Sequence, residues 1–314
     1  MQHLARTTGD YGLGRMIHSV HMTADVATLN SFYEDVFGAL IFRGIDEPEY
    51  LDVEDRWASL MLIGNLCIES MAPNEPVDAT KPVGKFYTKF GQHLHSVGFR
   101  VADLQGLGDH MIAGGTYIGR PGGGQLKQMA ELGALPYFYL SPRITSGLMI
   151  ELCGVDMRGD PRLADTWSSQ VKMWENGHPL TIHRLAYVTL GVQDADEALD
   201  TYLKQLQAVL IHSGRDEIEN CRYHLVQLGD CLLRLAEPLD GHSGLGQHVQ
   251  RWGNAIYALT LGVRDLDSAR AWLSKKGVRA ELAGPGRLAA NVEDCHGAPY
   301  FFSTEPIPND PFQK

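Results

Sequence analysis

Four segments of this chain share one grammar: an alternating strand pattern, an aspartate, then an amphipathic helix. They begin at His18, Ser96, Tyr187 and Ala258, and in each the aspartate (Asp25, Asp103, Asp194, Asp265) stands seven residues further on. Repetition of this kind constrains a fold more than any local motif, because each copy must bury its apolar face against the others. An aspartate between strand and helix patterns predicts an N-cap, its carboxylate accepting the unpaired N–H groups of the first turn. Val26, Leu29, Tyr33 and Val36 recur at helical spacing in the first copy, and Leu199, Tyr202, Leu206 and Leu210 in the third. Short strand-like runs follow each helix and end at 65–73, 147–154, 231–238 and 299–306. The unit is βαβββ. The chain is therefore expected to be α+β, with four such modules paired into two cupped half-barrel domains.

Length agrees, since 314 residues suit about two domains of roughly 150 residues. The expected boundaries are 13–157 for the first paired-module domain and 180–310 for the second. Between them lies a polar, Pro- and Gly-punctuated linker at 158–179, with Trp167, Val171 and Trp174 spaced for a short helix.

The net charge of −11 argues against nucleic acid as the main partner, because phosphate binding needs a cationic surface. No apolar run approaches the roughly 20 residues of a membrane span, and the first residues carry no hydrophobic signal core. The expected setting is cytoplasmic, without a membrane partner, and with room for a homodimer. The five cysteines form no C-x-x-C pair, which points to reduced structural residues rather than disulfides or a zinc knuckle. GRPGGGQ (119–125) lacks the following Lys and Ser/Thr of a phosphate cradle and reads as a loop, with a lid as the sharper alternative. No G-x-S-x-G elbow supports a hydrolase.

The modular grammar, with FYEDVFGA (32–39) in the first helix and IEL (150–152) closing the second module, resembles the vicinal oxygen chelate superfamily. That superfamily includes glyoxalase I, methylmalonyl-CoA epimerase, extradiol dioxygenases and bleomycin resistance proteins. The resemblance implies metal ligands at the start of each module's first strand and in the middle of its last. In this chain those places are His18 and Glu69, then His95 or Ser96 with Glu151. Counting back from Asp103 favours Ser96, whereas the shared HSV at 18–20 and 95–97 favours His95. The corresponding positions of the second half are Tyr187, Arg234, Ala258 and Phe301, which make no ligand set.

A carboxylate in mid-strand among apolar neighbours, as Glu69 and Glu151 are, needs a cation, an arginine or a shared proton to offset its desolvation. The mixed nitrogen and oxygen donors suit a divalent metal ion such as Zn, Ni, Co, Mn or Fe(II). Three functions follow as expectations. The first is a glyoxalase- or epimerase-like enzyme that stabilises an enolate, with Glu69 or Glu151 moving the proton. The second is an Fe(II) dioxygenase using His18, His95 and Glu151. The third is a small-molecule binding or resistance protein without turnover. Tyr137 and Tyr139, two apart in PYFYL (136–140), are expected on one strand face and are candidates for lining a substrate cavity.

Overall fold

The computed structural model describes residues 6–313, and the four modules recur in it in chain order. The first comprises β1 (Leu13–Met22), α1 (Val26–Phe37), β2 (Leu40–Arg43), the short β3 (Glu49–Leu51), β4 (Arg56–Ile63) and β5 (Leu66–Pro73). After α2 (Pro82–Phe90), the second has β6 (His93–Val101), α3 (Leu104–Ala113), β7 (Ile118–Gly119), β8 (Tyr137–Leu140) and β9 (Met149–Cys153). Two short helices, α4 (Trp167–Gln170) and α5 (Lys172–Asn176), lead into the second half, with Trp167 and Trp174 buried. The third module is β10 (Ile182–Gly191), α6 (Ala195–Leu206), β11 (Val209–Asp216), β12 (Cys221–Leu228) and β13 (Cys231–Pro238). After α7 (Gly244–Trp252) the fourth follows: β14 (Ala255–Val263), α8 (Leu266–Lys275), β15 (Ala280–Leu282), β16 (Arg287–Ala290) and β17 (Tyr300–Ser303).

All four aspartates cap their helices. Asp25 accepts from the Thr28 N–H, Asp103 from Gly106, Asp194 from Asp196 and Glu197, and Asp265 from Ser268. Each cap is worth about 1 kcal/mol by general experience. In the third module α6 stops at Leu206, because Gln207 takes the left-handed conformation. Leu210, expected to continue the helical stripe, lies instead on β11 and is exposed.

Each pair of modules shares one sheet. The first runs β2-β4-β5-β1-β6-β9-β8-β7, with β3 beside β4, and the second runs β11-β12-β13-β10-β14-β17-β16-β15. The two module-opening strands are antiparallel neighbours at the centre (β1 with β6, β10 with β14), and each is parallel to the last strand of its own module. One face of each sheet packs on the helices and the other curls into a cup. Because side chains alternate, neighbours of opposite fate mark the faces. Ile150 and Leu152 are fully buried in the main core with Glu151 between them.

The halves share that core. Tyr33 and Phe37 of α1 pack on Tyr300 and Phe302 of β17, the Trp272 Nε1–H donates to the Val36 carbonyl (2.8 Å), and Tyr202 of α6 donates to the Thr145 carbonyl (3.0 Å). Burying one such aromatic ring contributes roughly 1.5–3 kcal/mol. No helix among the described residues is long and apolar enough to cross a membrane. All five cysteines are buried and free.

Candidate active site

His18, Glu69 and Glu151 come together in the first cup, from β1, β5 and β9. Ser70 turns to Asn30 of α1, which puts Glu69 on the opposite, concave face. The register continues the arrangement: Val20 opposes Glu69 on one side and Ser96 on the other, while His18 opposes Gly98, itself the partner of Glu151. Gly98 is required there, since a Cβ on it would stand 2.6 Å from His18 Nε2.

His18 is 2% exposed, Glu69 4% and Glu151 8%. The imidazole sits between the two carboxylates, with Nδ1 3.2 Å from Glu69 Oε2 and Nε2 3.6 Å from Glu151 Oε2. Neither ring nitrogen makes an aligned hydrogen bond, so these are ion-pair contacts rather than hydrogen bonds. Burial opposes the charged imidazole, but the Glu69 and Glu151 charges outweigh it and raise the His18 pKa. Burial likewise disfavours the Glu69 carboxylate, and the adjacent Arg56 and His18 reverse this and hold its pKa below the usual range.

Arg56 is the group that the sequence pattern did not reveal. Its guanidinium donates to Glu69 through Nη1 and to Glu54 through Nε (2.5 Å), and all three side chains are buried. An arginine at the start of a strand ordinarily reads as a solvated end. The available signal was the repeat itself: Glu54 stands two residues before β4 as Glu219 does before β12. Tyr139 donates to Glu54 Oε1 at 2.6 Å and Tyr137 lies 3.4 Å from the same oxygen. The two tyrosines therefore do share a face, and both engage Glu54. The glycine-rich loop lies across the turn that carries Glu54, where a Cβ on Gly122 (φ +75°) would be 2.4 Å from the Val53 carbonyl oxygen.

The His95 and Ser96 alternatives meet at a β-bulge. Val20 opposes Ser96 and His21 opposes Leu94, leaving His95 as the extra residue of β6. Ser96 holds the in-register concave position. The bulge brings His95 to the same side, with Nδ1 2.7 Å from Ser96 Oγ. Burial, followed by the Arg56 charge, lowers the His95 pKa to about 3, so the ring is neutral. His21, by contrast, faces α1. Its Nε2–H donates to the His296 carbonyl (2.9 Å), which fixes Nδ1 as the acceptor from Tyr33 Oη (2.7 Å).

The implied divalent metal can be tested against these donors. Among the described residues, no group of three or more His, Cys, Asp or Glu is arranged to hold one. The reason is orientation: His18 offers opposite ring nitrogens to Glu69 and Glu151, so an ion on either nitrogen reaches only one of the carboxylates. Glu69 is also engaged by a guanidinium. In this arrangement His18, Glu69, His95 and Glu151 do not fit a single metal centre, and the cation offsetting Glu69 is Arg56.

Comparison with known proteins gives the family setting. Residues 186–295 match the family described as Glyoxalase/Bleomycin resistance protein/Dioxygenase superfamily. An uncharacterized protein of Bacillus subtilis, YqjC, is 28% identical over 153 residues, covering 47% of this chain and 96% of its own. Among solved structures, a mutant of 4-hydroxymandelate synthase from Streptomyces coelicolor is similar over 98% of this chain and 96% of that one, with 13% identity and a TM-score of 0.61. Methylmalonyl-CoA epimerase from Mycobacterium tuberculosis is 25% identical, covering 40% of this chain and 90% of its own, with a TM-score of 0.38. The second half of the chain thus matches the glyoxalase/bleomycin resistance protein/dioxygenase superfamily over residues 186–295, and the fourfold βαβββ architecture of the whole is the fold it shares with the 4-hydroxymandelate synthase structure.

Proposed function

We propose that the first cup catalyses proton transfer at a carbon beside a carbonyl, in the manner of the superfamily's epimerases and glyoxalases, with Glu151 as the base. One observation carries this: an imidazole held between two buried carboxylates, neither of its nitrogens in an aligned hydrogen bond. A buried donor without a partner is placed to stabilise an oxygen that gains charge during reaction. Glu151 takes the proton from carbon, the electron pair moves onto the carbonyl oxygen, and the His18 N–H donates to that oxygen. The proton then returns from Glu151 to the same carbon, or to the former carbonyl carbon while the neighbouring hydroxyl proton passes to the enolate oxygen. Glu69, anchored by Arg56, positions the imidazole from its other side. Tyr137 and Tyr139 sit beside Glu54, and in this reading they line the substrate site. The substrate class is a small molecule with a carbonyl and a neighbouring oxygen. No step is routed through a metal.

The test is deuterium exchange in heavy water, followed by proton NMR, with α-hydroxy ketones and hemithioacetals as substrates. The expected result is exchange at the activated carbon that disappears in Glu151→Gln. Oxygen consumption on catechols by protein carrying iron would instead make it a dioxygenase. Saturable binding of these compounds without exchange or turnover would make it a binding protein. Elemental analysis supplies the remaining arm, since a stoichiometric divalent metal lost in both His18→Ala and Glu151→Ala overturns these residue roles.

A further inference from the structure

The second cup contains a buried polar cluster that the proton-transfer reading leaves unused. Register equates its positions with those of the first. Arg234 opposes Thr189 as Glu69 opposes Val20, and Phe301 opposes Thr260 as Glu151 opposes Gly98. Ala289 opposes Phe301 as Tyr139 opposes Glu151, and Arg287 opposes Ser303 as Tyr137 opposes Cys153. Alternation fixes the faces. Leu233, Leu235 and Leu288 lie in the core under the helices, so Arg234 and Arg287 turn to the concave side.

Arg234 donates to Asp216 Oδ2 (2.7 Å) and to Glu219, and Arg287 donates to the same Asp216 oxygen (2.8 Å) and to Glu305 (2.8 Å). Two atoms remain without a partner: Arg287 Nε, a donor, and Glu219 Oε1, an acceptor. Their side chains are only 8% and 9% exposed. Leaving a buried donor and a buried acceptor unmade is costly, and an ion cluster of this kind is weak support for stability when apolar residues could replace it. Side chains at equivalent positions are also smaller than in the first cup. Where the first cup has Tyr139 and Ser96, the second has Ala289 and Ala258, with Ala236 two residues along from Arg234. Aromatic rings complete the lining, with Tyr223 4.7 Å from the Arg234 guanidinium and Tyr257 6.1 Å from Phe301.

We propose that the second cup is a separate binding site for a planar aryl amide or lactam. The carbonyl of such a ligand accepts from Arg287 Nε, its N–H donates to Glu219 Oε1, and its ring lies against Tyr257 and Phe301 over the alanines. An aryl carboxylate offers no proton to Glu219 and adds charge beside three acids. An arylmethyl ammonium offers nothing to Arg287.

The experiment is a titration of the full chain with benzamide, benzoate and benzylammonium, read by protein NMR, with benzamide-soaked crystals to locate the ligand. Benzamide is expected to saturate in the millimolar range, and the two ionic probes to bind at least about tenfold more weakly, the scale of one well-placed hydrogen bond. Arg287→Lys keeps a charge but removes Nε and is expected to weaken benzamide about tenfold. Ala289→Tyr refills the space that Tyr139 occupies in the first cup and is expected to abolish binding. Because it introduces no buried charge, it keeps the test decisive if Arg287→Lys does not fold. Absence of saturable benzamide binding, equal binding of all three probes, retention in Ala289→Tyr, or density elsewhere in the crystals each overturns the proposal.

Discussion

In the first cup a guanidinium from β4, Arg56, lies between a turn glutamate, Glu54, and a strand glutamate, Glu69. In the second the strand position itself carries the guanidinium, Arg234, and the corresponding turn glutamate, Glu219, binds it directly. Cys221 then stands where the first cup has Arg56. Both cups thus keep a buried turn carboxylate paired with a buried arginine, while the sign of the charge on the strand is reversed. A charge in mid-strand on a concave face is tolerated only with its counter-charge close by: for Glu69 it is Arg56, the first residue of β4, and for Arg234 it is Glu219, in the turn before β12. The remaining positions separate the cups by chemistry. The first cup has an imidazole and a carboxylate, His18 and Glu151, where the second has a phenol and a phenyl ring, Tyr187 and Phe301.

The largest expected effect tests that chemical difference. Glu151→Gln is isosteric and removes the base, so it is expected to slow the exchange reaction between about a hundredfold and ten-thousandfold. The measurement is the deuterium incorporation rate at saturating substrate. Retention of most of the rate would remove Glu151 from the chemistry and dissolve the functional contrast between the cups.

The next effect concerns stability. Arg56→Met leaves Glu54 and Glu69 buried without a guanidinium, and breaking a buried ion pair in this way costs about 3–5 kcal/mol. Arg234→Met leaves Arg287 on Asp216, with its Nη1 3.4 Å from Glu219, so its cost is expected to be about half as large. Urea denaturation of both variants measures the difference. Equal losses would mean that the second arginine of the second cup contributes nothing, and the electrostatic comparison would fail.

Much of this organisation is legible in the sequence because it is periodic. The four aspartates, their helices and the closing strands follow from spacing, and the superfamily resemblance carried onto those strands singles out His18, Glu69 and Glu151. The bulge at His95 shows in the sequence only as a conflict between two registers, since one extra residue on β6 is a backbone irregularity that leaves the composition of the strand unchanged. Arg56 and Glu54 were hidden for a different reason: a charged residue beside a turn normally points to water, and only the curl of the sheet carries this pair into the cup. The left-handed Gln207 that ends α6 before Leu210 is hidden likewise, because the apolar stripe runs on past the cap.

A third difference between the halves is their response to acid. His21 corresponds by register to Leu190, and burial lowers its pKa from 6.5 to about 3, with its bond to the His296 carbonyl opposing that shift. The folded state therefore binds this proton less readily than the unfolded chain. The stability His21 confers is fully present above pH 6.5 and is lost as the pH falls towards 3. Linkage gives about 2 kcal/mol lost between about pH 6 and pH 4. Denaturation midpoints across that range are expected to fall less steeply in His21→Leu, which makes the first half resemble the second at this position. An unchanged slope would show that other groups govern the acid response.

The smallest effect probes how the turn carboxylate is held. Tyr139 donates to Glu54 Oε1 at 2.6 Å, and the second tyrosine, Tyr137, is 3.4 Å away. In the second cup these two positions are Ala289 and Arg287, so the side chain nearest Glu219 from β16 is charged rather than phenolic. Tyr139→Phe keeps the ring and its packing while removing one donor to a carboxylate that Arg56 already binds. The expected cost is about 1 kcal/mol, the net worth of one hydrogen bond, with a smaller loss for Tyr137→Phe. If Tyr139→Phe instead costs as much as Arg56→Met, Glu54 depends on the phenol rather than the guanidinium. The carboxylate–arginine pair would then no longer be the feature the two cups have in common.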